Sequence, residues 1–190
     1  MTGSGSAFTA SFVPSGPDLS TVVVEASDDI GFVARSAAPF VSYDPSAGSA
    51  AGTGWIVPGG SSSDPGDVLP GLDGVEKASF SFTAKYKASS STVPAGSLTF
   101  SFGSHFKLQS RDLSWLAVPG ADLAYFGGLA SIQGMEGAFP FVATITDGGS
   151  TGGSDRFDLR VYEPGTNIAS EVPLFAASGT AGGQIQIRPS

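Results

Sequence analysis

The chain has 190 residues, enough for one domain with a sizeable buried core or for one domain that carries an ordered extension. Its net charge of −8, with nine basic residues scattered along the sequence, excludes nucleic acid and membrane surfaces as main partners. The absence of cysteine excludes disulfides, zinc–thiolate sites and thiol nucleophiles.

The composition predicts a turn-rich, all-β protein. It combines 27 glycines and 13 prolines with 41% hydrophobic residues and 14 phenylalanines, which is too apolar for a disordered chain. No apolar segment approaches the roughly 20 residues that cross a bilayer, so we expect no membrane insertion. The low Lys/Arg content and the many small polar residues favour an extracellular or cell-surface location. The start MTGSGSAF lacks a basic region followed by an apolar run, so either the protein is not exported or a signal has been removed.

The N-terminal third contains three candidate strands, at 7–13, 21–26 and 30–34. The run Val22–Val24 is continuous rather than alternating, which predicts a strand covered on both faces. Residues 35–53 hold two prolines and many small residues, and we interpret them as a linker.

Residues 54–57 predict a short strand, and the stretch 58–76 that follows is rich in Pro, Gly and Asp, which excludes a helix or a central strand. The most regular pattern lies at 77–102, where apolar and polar residues alternate on both sides of a turn. It predicts a β-hairpin with one buried face, because a shift of one residue would expose every phenylalanine.

Further candidate strands follow at short intervals up to 188. They are 105–110, 113–118, 122–133, 138–146, 156–162, 171–175 and 183–188. Two of these segments, beginning at Asp112 and Asp122, have the alternative of a short helix because leucine and aromatic residues recur at i,i+3 spacing. The whole pattern predicts an all-β fold, either an antiparallel β-sandwich of jelly-roll or Ig-like type or a flattened β-barrel.

The order and spacing of several segments resemble a known family. GTGWI (52–56), KASFSFTAKYK (77–87), LSWLAV (113–118), ADLAYFGGLASIQG (121–134) and the segment from 139 to 163 resemble the β-rich post-COAP type domain. This domain occurs near the C-termini of secreted or surface repeat proteins, which implies an extracellular structural module with no catalytic residue to carry over. The resemblance covers about 52–188, so we expect a domain at 52–190 preceded by a strand-bearing extension and linker at 1–51.

The glycine-rich segment 146–155 is a candidate calcium site. Asp147, Asp155 and the nearby Asp158 supply the oxygen ligands that Ca²⁺ prefers, but their spacing is not that of an EF-hand loop. The alternative is a hairpin tip in which aspartates cap the turns.

A second candidate site is a carbohydrate platform formed by Trp55, Trp115 and Tyr162. Exposed aromatic side chains stack on sugars, whereas tryptophans in a sandwich more often fill the core. Tyr162 ends a strand whose outer face also carries Arg156, Asp158 and Arg160, a pattern that is equally typical of a solvated structural ladder.

No catalytic constellation is recognisable. His105 is the only histidine and is predicted to point outward at the start of a strand, and no G-x-S-x-G motif accompanies it. The carboxylate candidates for glycoside hydrolysis, Asp28, Asp29, Asp112 and Asp122, all lie at turns or strand starts. We therefore expect a protein that is not an enzyme.

The sequence favours a non-catalytic, extracellular structural or adhesive domain that assembles with itself or with neighbouring protein domains through strand edges and its N-terminal segment. One alternative is a carbohydrate-binding module, for which exposed aromatic residues on one face would be decisive. The other is a small β-barrel cyclase or isomerase, which would need an open interior with a buried charge.

Overall fold

The computed structural model describes residues 2–4, 7–45, 48–58, 77–88, 90–103, 106–149, 153–169 and 172–189. These residues form thirteen β-strands and no helix. The strands are β1 (Thr2–Ser4), β2 (Ala7–Thr9), β3 (Asp18–Ser27), β4 (Val33–Ser42), β5 (Ser49–Ile56), β6 (Ala78–Lys85), β7 (Ala95–Phe102), β8 (Phe106–Ala117), β9 (Leu123–Ile132), β10 (Phe139–Thr146), β11 (Arg156–Val161), β12 (Phe175–Thr180) and β13 (Gly182–Arg188).

Nine of these strands form one antiparallel sheet in the order β12-β11-β10-β9-β8-β7-β6-β5-β13. The sheet curls until it is nearly closed, like a flattened barrel, and the predicted all-β fold is confirmed. Two further pairs, β1-β2 and β3-β4, are separate two-stranded sheets. The barrel is therefore preceded along the chain by short antiparallel hairpins.

The alternation of β6 and β7 sets the two faces of the sheet. Phe80 and Phe82 are buried and the intervening Ser79 and Ser81 are exposed, as the period of two predicted. Every phenylalanine from residue 80 onward belongs to one buried cluster. Burial of these rings is the main source of stability of the barrel.

Contacts between aromatic rings join opposite walls of the barrel. Phe80 on β6 and Phe157 on β11 lie almost parallel, with ring centroids 4.4 Å apart. Phe100 on β7 lies 5.8 Å from Phe175 on β12. Because these strands are far apart in the sheet order, the contacts show that the sheet folds back on itself and fills its own interior.

The structure corrects several predictions. The proposed linker at 35–53 is largely strand, since β4 continues to Ser42 and β5 begins at Ser49. The first candidate strand, 7–13, is ordered as a strand only at Ala7–Thr9. Small residues and prolines favour a linker, but both strands of a two-stranded sheet are edge strands, and edge strands tolerate such residues.

Further corrections concern the C-terminal half. The candidate strands 105–110 and 113–118 are one strand, β8, which is interrupted by register shifts at Ser110/Asp112 and Leu113/Trp115. The two segments with a helical alternative lie in β8 and β9, because tertiary pairing overrides a short i,i+3 pattern. The strand expected at 171–175 is wrong, and β12 begins only at Phe175.

The polar stretch 58–76 lies almost entirely outside the described residues, as does His105. Within the described ranges there is no helix that is both long and apolar enough to cross a membrane.

Candidate functional site

The β3-β4 hairpin, which we call the arm, is the feature that distinguishes this chain from a simple barrel. The two strands pair over ten positions, from Asp18 opposite Ser42 to Ser27 opposite Val33. Within the described residues no third strand pairs with either of them. The outer edges of β3 and β4 therefore present unpaired backbone groups.

The tip of the arm is a well-formed turn. The Asp28 carboxylate accepts hydrogen bonds from the backbone N–H groups of Ile30, at 3.1 Å, and Phe32, at 2.8 Å. Gly31 has a φ of 94°, a conformation that a residue with a Cβ rarely adopts. Near the tip, Arg35 on β4 pairs with Glu25 on β3. These local contacts give the hairpin a defined end rather than a loose loop.

The distal half of the arm exposes large apolar side chains. The exposed fractions are 60% for Val23, 76% for Ile30 and 74% for Phe32, and Val24 and Val33 are also more than half exposed. The prediction that the run Val22–Val24 is covered on both faces is therefore wrong for Val23 and Val24. The continuous apolar run is typical of a strand that is buried on both faces, but no described residue packs over these side chains enough to bury them.

The proximal half of the arm packs on the outer face of the barrel. Leu19 and Pro39 line a depression of about 330 Å³ together with Val142, Arg160 and Tyr162 of the barrel wall. The Asn167 side chain donates a hydrogen bond of 2.6 Å to the backbone carbonyl of Ala37. The arm is thus anchored from its base up to Ala37, which lies opposite Val23, whereas the tip beyond this pair has no such contact among the described residues.

The charged side chains on the outer face of β11 lie at the depression beneath the arm and are only partly exposed to solvent. Tyr162 is buried, and Arg160 lies 3.4 Å from the Asp158 carboxylate. Burial raises the pKa of Asp158 above its ordinary value, and the positive charge of Arg160 opposes the shift. Burial likewise raises the pKa of Tyr162, against the effect of Arg160. The expected alternation of Phe157, Leu159 and Val161 inward is confirmed.

Asp147 and Asp155 close the seam of the barrel. Asp147 accepts hydrogen bonds from the N–H groups of Ile187 and Gly149, both at 2.9 Å. Asp155 accepts from Ile185 at 3.0 Å and from Gly148 at 2.9 Å. All four carboxylate oxygens therefore bind backbone donors, and two of those donors belong to the free edge of β13.

This arrangement bears on the predicted calcium site. Asp158 does not join Asp147 and Asp155, because its carboxylate pairs with Arg160 on the outer face of β11. Among the described residues no three His, Cys, Asp or Glu side chains gather around a common point. Calcium at 146–155 stays a prediction, and an ion there would compete with the four backbone donors.

Neither tryptophan fills the core, so the alternative in which Trp55 and Trp115 pack inside the sandwich is wrong. Trp55 lies opposite Gly182 and Trp115 opposite Gly127, and each indole covers its glycine on the outside of the sheet. Trp55 is 38% exposed, and the ammonium group of Lys77 lies 3.7 Å from the centroid of its ring. Gly182 and Lys77 thus both lie against its ring.

The structure does not bring the three aromatic candidates together. Trp55 lies on β5 and Trp115 on β8, three strands away in the sheet, and Tyr162 is buried beneath the arm. A common stacking platform of Trp55, Trp115 and Tyr162 is therefore not present. A sugar site at any one of them stays a prediction.

The interior of the barrel is filled. Every buried residue among those described is apolar or aromatic, and no buried charge is found in that part of the chain. The open, charged interior that would favour a barrel enzyme is thus not seen in the described residues. The carboxylate candidates also lie apart, since Asp28 and Asp29 are at the arm tip, Asp112 is in β8 and Asp122 precedes β9.

No family model matches the chain, and no curated protein and no solved structure matches it. The resemblance to the post-COAP type domain stays a prediction.

Two sets of residues with a place in these surfaces are not evident from the sequence alone. The apolar side chains of the arm tip, Ile30 and Phe32, were expected inside a strand, and only the adjacent turn sequence SDD hinted at exposure. The lysines of β6 and β8 were treated as scattered charges. The pairing of strands shows that they share one face of the sheet.

Proposed function

We propose that this chain is a non-catalytic structural or adhesive domain that works outside the cell or at its surface and associates with further copies of itself through the arm. The observation that carries the proposal is the distal half of the arm, where Val23, Ile30 and Phe32 are each at least 60% exposed. The extracellular location rests on composition and on the family resemblance.

The energetics of an isolated hairpin support a partner for the arm. A two-stranded hairpin is marginal in water unless a third strand or a packed surface covers it. The proximal half of the arm has such cover, from Val142 and Tyr162 among others. In the distal half Asn167 binds the Ala37 carbonyl, but the large apolar side chains remain more than half exposed. Burial of the distal apolar side chains in a complex would stabilise both the arm and the complex.

The strand edges support a second copy as that partner. An unpaired antiparallel edge pairs readily with the same edge of an identical chain, since a two-fold axis makes the contact self-complementary. The barrel itself offers a poorer edge at β13, because the Ile185 and Ile187 N–H groups are bound by Asp155 and Asp147. Two arms would form a four-stranded sheet with the apolar side chains between or beside the copies.

The test is the mass of the purified chain by light scattering as a function of concentration. We expect a dimer or larger assembly, and we expect the double substitution Val23→Glu and Phe32→Glu to reduce it to a monomer. The matched control is Val93→Glu with Val172→Glu, which introduces the same charge at two exposed apolar residues that are not part of the arm.

Two results would contradict the proposal. One is a wild-type chain that stays monomeric at every concentration reached. The other is an assembly that the control variant disrupts as much as the arm variant does. Hydrogen exchange at the outer edges of β3 and β4, slower in the assembly than in the monomeric variant, would support the pairing of arms.

A further inference from the structure

Hydroxyl and amide groups cover one outer surface of the barrel, which we call the hydroxyl face. It is formed by strands β13, β5, β6 and β7 and by the first half of β8. Strand register aligns its side chains in rows, such as Thr53, Ser81, Thr99 and Gln109. The remaining members of the face are Ser79, Thr83, Ser97, Ser101, Gln184 and Gln186. Such side chains donate and accept hydrogen bonds without strong charge.

The face is shallow and continuous rather than a closed pocket. Two adjoining depressions, of about 550 and 330 Å³, share Thr53 and Ser81. Trp55 borders the larger one, and Gly54 and Gly183 form part of its floor. This shape admits an extended chain lying across the strands or along them, and it does not enclose a small molecule.

Basic residues frame the hydroxyl face at both ends. Lys77 and Lys107 lie near the row of Trp55, whereas Lys85 and Arg188 lie about six residues further along β6, roughly 20 Å away at the rise of an extended strand. All four side chains are exposed.

Acidic residues are sparse on the described strands of this face, and Asp112 on β8, the strand that carries Lys107, is the one found there. Strands β5, β6, β7 and β13 contain neither Asp nor Glu. The two ion pairs found among the described residues, Arg35–Glu25 and Arg160–Asp158, lie on other surfaces. Among the described residues, the strands of this face thus carry more basic than acidic side chains, although the whole chain has a net charge of −8.

We infer that the hydroxyl face binds a linear polysaccharide that carries carboxylate groups, a uronic-acid polymer. Its hydroxyls would pair with the Ser, Thr and Gln rows, and its carboxylates with the two basic pairs. Charge complementarity and the polar rows select this partner. The inference does not depend on the arm or on self-association.

Other partners fit the face less well. A second protein chain would need an apolar centre, and within the hydroxyl face Trp55 is the only large apolar side chain among the described residues. A nucleic acid or a densely sulfated polymer favours clustered arginines that bind bidentately, whereas these cations are mostly lysines separated by neutral rows.

The test is binding of polygalacturonate to the full chain by calorimetry at low ionic strength. The same polymer with its carboxylates methyl-esterified is the matched ligand, since it keeps the sugar backbone and loses the charge. We expect binding of the acidic polymer that weakens with salt, and at least tenfold weaker binding of the ester.

Two double variants test the residues. Lys77→Ala with Lys107→Ala, and Lys85→Ala with Arg188→Ala, should each weaken binding about tenfold or more, because each removes two charged contacts. The matched control, Arg35→Ala with Arg156→Ala, removes the same charge from exposed residues elsewhere and should change affinity less than threefold. In a Trp115→Phe background, a change in Trp55 fluorescence on binding would support contact at Lys77.

Several outcomes would overturn the inference. They are no binding of polygalacturonate by the wild-type chain, equal binding of the ester, and equal losses in the face variants and the control. Binding of heparin without polygalacturonate would reject the carboxylated polymer. A face variant that changes the mass of the free protein would assign the face to a second copy instead.

Discussion

The Asp147 carboxylate accepts a hydrogen bond of 2.9 Å from the backbone N–H of Ile187, forty residues further along the chain. Asp155 binds the N–H of Ile185 on the same strand edge. A strand edge that would otherwise be unpaired is thus closed by two side chains from the β10–β11 connection. These carboxylates accept the backbone hydrogen bonds that the carbonyl groups of a neighbouring strand would otherwise accept.

Replacing Asp155 with Asn should destabilise the protein by about 1–3 kcal/mol, because the amide nitrogen cannot accept and one backbone donor loses its partner. Urea unfolding measures the loss. Amide exchange should accelerate at Ile185 more than in β6. Asp29→Asn, at the exposed arm tip, is the control, and unchanged protection of Ile185 would refute the role of the seam.

Tyr86→Phe should also destabilise by about 1–3 kcal/mol. The Tyr86 hydroxyl donates to the Leu116 carbonyl and accepts from the Leu116 N–H, each at 3.1 Å, and the site is buried. Phenylalanine would leave both backbone groups without this partner. Tyr43→Phe is the control, since Tyr43 stacks on Tyr86 but is 38% exposed. Equal losses in the two variants would contradict the prediction.

Gly182→Ala should displace the Trp55 indole. The nearest atoms that an added Cβ would meet all belong to that ring. We expect a lower melting temperature and a red shift of Trp55 emission, because the ring is pushed into solvent. Combining the change with Trp55→Ala should cost less than the sum of the single changes. If the stability losses of the two single variants simply add in the double variant, the Trp55 indole is not what keeps a larger side chain out of position 182.

Asp158→Asn should change how stability depends on pH. Burial raises the folded-state pKa of Asp158, so the folded state favours the protonated acid. As pH rises through the unfolded value of about 3.9, the wild-type chain loses stability until the pH passes the raised pKa. The Asn variant lacks this loss, so its melting temperature relative to wild type should rise over that window and then level off.

Melting curves between acid and neutral pH check this prediction. Asp29→Asn, at the exposed arm tip, again serves as the control and should follow the wild type. A relative stability of the Asp158→Asn variant that falls as pH rises would show that the contact with Arg160 outweighs burial, contrary to the expectation.

Much of the barrel was predictable because its strands alternate strictly. In β6, the placement of Phe80 and Phe82 opposite Ser79 and Ser81 leaves one register that buries the rings. The same logic placed Phe157 and Leu159 inward on β11. It failed for Val23 and Val24, since a continuous apolar run does not say whether a cover exists.

The candidate sites were less accessible to sequence reasoning. Asp147 and Asp155 were recognised as turn residues with oxygen ligands, but their partners Ile187 and Ile185 are thirty or more residues away. The sequence left open whether the two tryptophans are exposed or fill the core, and the glycines opposite them, Gly182 and Gly127, allow them to lie outside. Such pairings depend on register between distant strands.

The sequence by itself determined the all-β class, the inward placement of Phe80 and Phe82 and the polar outer face of β6 and β7, because these follow from local alternation and turn chemistry. Only the tertiary structure decided which strands are neighbours. It thereby decided that Lys77, Lys107, Lys85 and Arg188 frame one face and that two aspartates close the seam. Sheet order is a long-range property, set by the packing of rings such as Phe80 on Phe157 across the interior rather than by neighbouring residues in the chain.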